Sequence, residues 1–224
     1  MRSFLDSGRT ILLRSVALIA LTIAALPAFP EPPKSRAEAL AALASADTAT
    51  RAEAVVWIAN LGAMQDAALL HERLRDESGL VRSYAEQGLW LLWSRSGDSE
   101  IDLQMARGTE AMQAGRYPEA IAILSDVIKK KPGFAEGWNR RATVYYLAEE
   151  YRKSLADCNQ VLKRNPLHFG ALSGVGQIYT RLEQYDKALE WLRRALEVNP
   201  NMLGVEFNIK QVEELLKNKN LKKI

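Results

Sequence analysis

The sequence predicts an all-α fold, a solenoid of stacked helical hairpins, and three observations point to it. Pro132, Pro166 and Pro200 recur every 34 residues, and Gly108, Ala142 and Gly176, Tyr117, Tyr151 and Tyr185, and Ala120, Ser154 and Ala188 keep the same phase. A fixed period of that length marks repeated helix–turn–helix units. Further upstream, residues 51–62 and 82–93 align with each other at a separation of 31, with apolar residues at helical spacing. Apolar residues make up 48% and charged residues 25% of the 224 positions, the balance of an ordinary packed protein.

The chain opens with Arg2, Arg9 and Arg14, followed by an uncharged apolar run from Ser15 to Phe29. That order predicts a secretory signal over residues 1–28, with cleavage after Ala28. The run is short for a membrane span, which needs about 20 apolar residues, but an uncleaved N-terminal anchor is the alternative. Either reading places the rest of the chain in the periplasm. Those three arginines against Asp6 account for most of the +3 net charge, leaving a body of roughly +1. So small an excess excludes nucleic-acid binding driven by phosphate neutralisation. Pro27, Pro30, Pro32 and Pro33 then make residues 29–34 a stiff, helix-free linker.

Residues 35–97 turn to alanine and leucine. Arg51 pairs with Arg82, Ala54 with Ala85, Ile58 with Leu89 and Leu61 with Leu92, and Asp47 and Asp76 stand ahead of the two segments as candidate caps or first-turn acids. This pairing resembles two short HEAT-like repeats. Trp90 and Trp93, three apart on one helical face, are expected to seal one array against the next. Asp98 or Ser99 is placed to cap the helix that follows.

Three units occupy 98–202, in phase as 101–134, 135–168 and 169–202. The middle one supplies Trp138, Arg141, Ala142, Tyr145, Ser154, Cys158 and Pro166, the last Leu172, Val175, Gly176, Tyr179, Ala188, Leu192 and Pro200. The first is weaker, with Gln104, Arg107, Gly108, Ala111, Ala120, Leu124 and Pro132. The small residue of each first helix must let the small residue of the second approach closely, and large neighbours fill the gaps. Each proline biases its predecessor to extended geometry, so Lys131, Asn165 and Asn199 mark helix ends. Cys158, the single cysteine, is expected as buried filler. Residues 203–224 place Val205, Phe207, Ile209, Val212, Leu215 and Leu216 on one predicted capping helix, followed by a basic tail.

No catalytic constellation is legible. His71 and Glu72 begin a pair that a zinc helix would complete with a second histidine where Arg75 stands, and Gly174 and Gly176 imitate a dinucleotide loop broken by Tyr179. The chain is therefore expected to be no enzyme, with neither cofactor nor metal.

The spacing of large, small and aromatic residues in the three units resembles the tetratricopeptide repeat (TPR), and residues 135–143 and 168–174 are similar to segments of exported proteobacterial TPR proteins. The resemblance implies a right-handed α-solenoid whose concave groove, lined by the first helices, binds a peptide or helix of a protein partner. Carried over position by position, the lining is Met105, Thr109, Met112, Glu136, Asn139, Arg140, Thr143, Tyr146, Ser173, Gln177 and Thr180. The lysines and asparagines with which chaperone-binding relatives clamp a terminal carboxylate are replaced here by Met105, Thr109, Arg140, Gly170 and Gly174. An adaptor or scaffold of the cell envelope follows as the expected role. The alternatives are a self-assembling structural protein that uses Trp90 and Trp93, or a non-catalytic subunit of an enzyme complex.

Overall fold

The computed structural model describes residues 30–221. The predicted signal and the last three residues of the tail lie outside the described residues. Within them are eleven α-helices and one 3-10 turn, Met64–Asp66, and no strand. The helices are α1 (Arg36–Ala42), α2 (Thr48–Leu61), α3 (Ala67–Arg73), α4 (Gly79–Ser94), α5 (Ser99–Gln113), α6 (Tyr117–Lys130), α7 (Ala135–Leu147), α8 (Tyr151–Arg164), α9 (Phe169–Arg181), α10 (Tyr185–Val198) and α11 (Leu203–Leu221).

Local chemistry starts and stops them. Asp47 accepts the Thr50 N–H at 2.7 Å, and Asp98 accepts those of Glu100 and Ile101, so each carboxylate satisfies backbone donors at a helix start. Asp76 does not cap α4. That helix begins after Ser78, and Asp76 instead holds Arg51 through a bidentate pair at 2.9 and 3.0 Å. Lys131, Asn165 and Asn199 close α6, α8 and α10, each ahead of its proline. Inside the hairpins the chain reverses through Gly115, Glu149 and Glu183, all in the left-handed region at φ 71°, 60° and 55° and all 34 residues apart. For the two glutamates that conformation costs on the order of 1 kcal/mol, which the packing on either side must offset.

From α5 onward the helices nest in chain order, each pair against the next and α11 on α10. The interior is built on apolar clusters: Leu124, Val127 and Phe134, then Cys158, Val175 and Ile178, then Leu172, Leu192, Val205 and Val212. Gly176 shows why the small residue is required, since a methyl group there would lie 2.6 Å from Leu192 Cγ and 3.2 Å from the Ala188 carbonyl. At the equivalent place in α7, Ser154 donates to the Ala142 carbonyl at 2.7 Å. Arg141 ties three helices together, bidentate to Asp157 at 2.7 and 2.9 Å and donating to Ser125 at 2.9 Å. On α11 the predicted stripe is only partly used. Val205 and Val212 are buried, whereas Phe207 and Leu215 are 61% and 42% exposed, because α10 covers one side of this last helix and no second hairpin helix follows it.

Helices α1 to α4 do not extend the stack from its first unit. Helix α4 runs along the edge where the repeats join, and its core is completed by residues from much later in the chain: Phe169, Val198 and Met202. Arg82 donates to Asn201 Oδ1 at 2.8 Å, Asn201 donates to the Leu74 carbonyl at 2.8 Å, and Arg75 reaches the Glu197 carbonyl. Arg51 and Arg82, aligned in the sequence, both grip the turn at Asp76 and Glu77, Arg51 through the two carboxylates and Arg82 through the two backbone carbonyls, and Arg82 also reaches the loop between α10 and α11. At the centre Trp93 stacks on His168 with ring centroids 4.4 Å apart, and Trp90 meets Trp93, His168 and Phe169 edge-on at 5.3–5.4 Å. Trp93 is buried in this junction and so serves internal packing. It joins α4 to the start of the third unit rather than to the first.

Candidate functional site

Helices α5, α7, α9 and α11 present one face side by side. Because the units repeat every 34 residues, side chains fall into rows across it: Asn139, Ser173 and Phe207; Thr143, Gln177 and Gln211; Arg140, Gly174 and Asn208. Three cavities lie along the face. One of about 390 Å³ is lined by Ser94, Met105, Thr109, Glu110, Glu136 and Arg140, among others. The next, about 200 Å³, has Asn139, Thr143, Tyr146, Gly174 and Gln177 around a floor that includes Cys158. The third, about 470 Å³, adds Thr180, Arg181, Asn208, Gln211 and Leu215.

Nine of the eleven predicted lining residues thus border cavities on this face. The other two do not. Met112 packs partly buried against the core of the first unit. Ser173 is buried and accepts a hydrogen bond from Gln177 at 3.2 Å, which fixes the amide of its neighbour. Glu136, though at the cavity wall, is 1% exposed and acts first as an anchor. Its Oε2 takes the Asn139 amide at 3.0 Å and His168 Nε2 at 3.3 Å, and its Oε1 lies 3.0 Å from Arg140 Nε. His168 Nδ1 accepts the Ala171 N–H at 3.0 Å, so Nε2 carries the proton donated to Glu136. Both ring nitrogens are occupied, and the pair orients Asn139 and Arg140.

The hydroxyls of Thr109, Thr143 and Thr180 each donate to the carbonyl four residues earlier, which leaves them acceptors toward the groove. Arg181 donates to the Tyr146 hydroxyl at 3.1 Å. Amides, hydroxyls and a few charges on a rigid helical wall suit the alternating N–H and C=O groups of an extended backbone. Burial pushes the Cys158 thiol up to about 12, so at neutral pH it is an unreactive floor group.

The contributions of Asn208, Gln211 and Leu215 were within reach of the sequence, since the 34-residue phase continues into α11. Reading that helix only as a cap conceals them. Ser94 comes from α4 and carries no such signal.

Comparison with known proteins agrees with this architecture. Tetratricopeptide repeat models match residues 105–159 and 170–202. A TPR repeat-containing protein of Rhizobium etli is 40% identical over 57 residues, which cover 25% of this chain and 28% of that protein. Little more than a quarter of that relative's length is therefore spanned. Among solved structures, the first TPR of Spaghetti (RPAP3) bound to HSP90 peptide SRMEEVD aligns with a TM-score of 0.51 and 22% identity, over 54% of this chain and 96% of that one. The Sgt2 TPR domain from Aspergillus fumigatus aligns with 0.53 and 19%, over 55% and 83%. At these identities the likeness is one of fold.

Proposed function

We propose that this chain, which carries tetratricopeptide repeats of the kind that serve as protein–protein interaction modules, is a non-enzymatic adaptor of the bacterial cell envelope that holds an extended segment of a partner protein in its groove. The observation that carries the reading is the continuous face on which Asn139, Arg140, Thr143, Tyr146, Gln177 and Thr180 border successive cavities. Peptide occupancy of an array of this fold in RPAP3 supports the same use of the groove. The envelope location rests on the basic and then apolar order of residues 1–28.

Two experiments test the two halves. Photo-crosslinking in cells from the groove positions, followed by identification of the captured proteins, should give partners that disappear when Asn139, Arg140 and Tyr146 are replaced together by alanine. An unchanged capture pattern in that triple variant would remove the groove from the proposal. Alkaline phosphatase fused after residue 34 should be active, and an inactive fusion would place the protein in the cytoplasm.

A further inference from the structure

The middle cavity of the groove differs from the two beside it. Charged side chains line both neighbours, Glu110, Glu136 and Arg140 on one side and Arg181 and Glu183 on the other, whereas none is among the described residues lining the space between α7, α8 and α9. Its floor is Ala142, Cys158 and Ile178, all buried. A buried thiol behaves as a small apolar group. Ser154, also at the floor, spends its hydroxyl on the Ala142 carbonyl at 2.7 Å and has no proton left to donate upward. A charged side chain entering here would lose its water without meeting a counter-charge.

Gly174 is an independent sign that a group from outside the chain belongs in this space. Glycine is the poorest helix former after proline, and Gly174 stands in the middle of α9. At the other helical glycines of the repeats, Gly108, Gly137, Gly170 and Gly176, a methyl group would come within 3.1 Å of a packed neighbour, so close packing accounts for them. At Gly174 it would meet only Cys158 Sγ, at 3.8 Å, and the room beyond is the cavity itself. The fold gains no contact from this glycine; what it gains is about 200 Å³ of open pocket. An apolar cavity of about 150 Å³ already accepts a benzene ring, so one aliphatic side chain fits. The rim is built to hold the backbone that carries it. The Glu136 carboxylate takes the Asn139 Nδ2 at 3.0 Å and Ser173 takes the Gln177 Nε2 at 3.2 Å, which turns Asn139 Oδ1 and Gln177 Oε1 outward as acceptors for backbone N–H groups.

We propose that the cavity under Gly174 receives one aliphatic side chain, of leucine or methionine size, from the segment that the groove holds. The inference rests on the reading of the groove as a peptide site and gives that site its anchor: an uncharged apolar residue seated on Ala142, Cys158 and Ile178, with its own backbone held by Asn139 and Gln177.

The test uses acetylated, amidated nonapeptide pools, randomised in alanine, serine and threonine and carrying a central leucine, alanine, lysine or glutamate, titrated against the full chain by fluorescence anisotropy. The leucine pool should bind about tenfold tighter than the alanine pool, the order of effect for burying a few more apolar carbons, and the lysine and glutamate pools should bind no better than alanine. Added salt should leave the leucine preference unchanged. Gly174→Leu plugs the cavity from within, so the preference should fall to about twofold or less while the alanine pool binds as before. Gly174→Ala takes up only part of the space and should give roughly half of that loss on a logarithmic scale, which keeps the test decisive if the larger side chain impairs folding. Equal binding of the leucine and alanine pools, tighter binding of a charged pool, or a leucine preference undiminished in both Gly174 variants would overturn the pocket and leave the groove standing. Failure of every pool to bind, or binding that survives the Asn139, Arg140 and Tyr146 triple variant, would overturn both.

Discussion

Replacing Gly170 by alanine adds one methyl group where α4 rests on α9. The new carbon would overlap Trp90 Cη2 and lie 3.0 Å from its Cζ2 and 3.3 Å from His168 Cε1. Trp90 has little room to yield, because Trp93, His168 and Phe169 all pack against it with centroids 5.3–5.4 Å away. Inserting a methylene into a packed contact costs about 1–3 kcal/mol, and direct overlap with a ring hemmed in by three others puts this one at about 2–3 kcal/mol. Alanine in a helix is also worth about 1 kcal/mol over glycine, so the net loss in Gly170→Ala should be about 1–2 kcal/mol. In a Trp90→Ala background the obstacle is gone and only the helical gain remains. The same substitution should then stabilise by up to about 1 kcal/mol, a coupling of about 2–3 kcal/mol between residues 80 positions apart in the sequence. Urea unfolding of the four proteins, followed by far-ultraviolet circular dichroism, reads each term. If Gly170→Ala costs as much without Trp90 as with it, the docking of the N-terminal unit described above is wrong.

Three further outcomes follow from the same structure. Gly174→Ala should stabilise by about 0.5–1 kcal/mol, since its methyl meets only Cys158 Sγ at 3.8 Å, whereas Gly176→Ala should destabilise by about 1–3 kcal/mol against Leu192; thermal melts of the two should shift in opposite directions. Asp157→Ala should cost about 3 kcal/mol in denaturant unfolding, because it strands Arg141 among α6, α7 and α8, and a paired Arg141→Met, Asp157→Leu protein should recover most of it. Burial pushes the His71 imidazole down to about 4, so between pH 6.5 and about 4 the unfolded chain binds a proton that the native one does not, and stability falls with pH across that window. Allowing for partial solvation, wild type should lose about 1–2 kcal/mol more than His71→Phe between pH 7 and pH 5, and parallel profiles would show that His71 does not face the apolar junction of Trp93 and Phe169.

The sequence by itself determined the hairpins, their boundaries and the face they share. Prolines, small residues and capping carboxylates act within one or two turns, and repetition at a constant period carries a local rule along the chain. The row of Asn139, Thr143 and Tyr146 follows from helical periodicity alone, and so does its continuation at Gln177 and Thr180. Tertiary structure alone decided the position of α1 to α4. Trp93 stacks on His168 and Arg82 meets Asn201 through shape and hydrogen-bond complementarity between segments 75 to 119 residues apart, and such pairs have no period to betray them. The depth of Glu136 has the same origin: His168, 32 residues further on at the end of the same unit, packs against its carboxylate at 3.3 Å with both side chains buried.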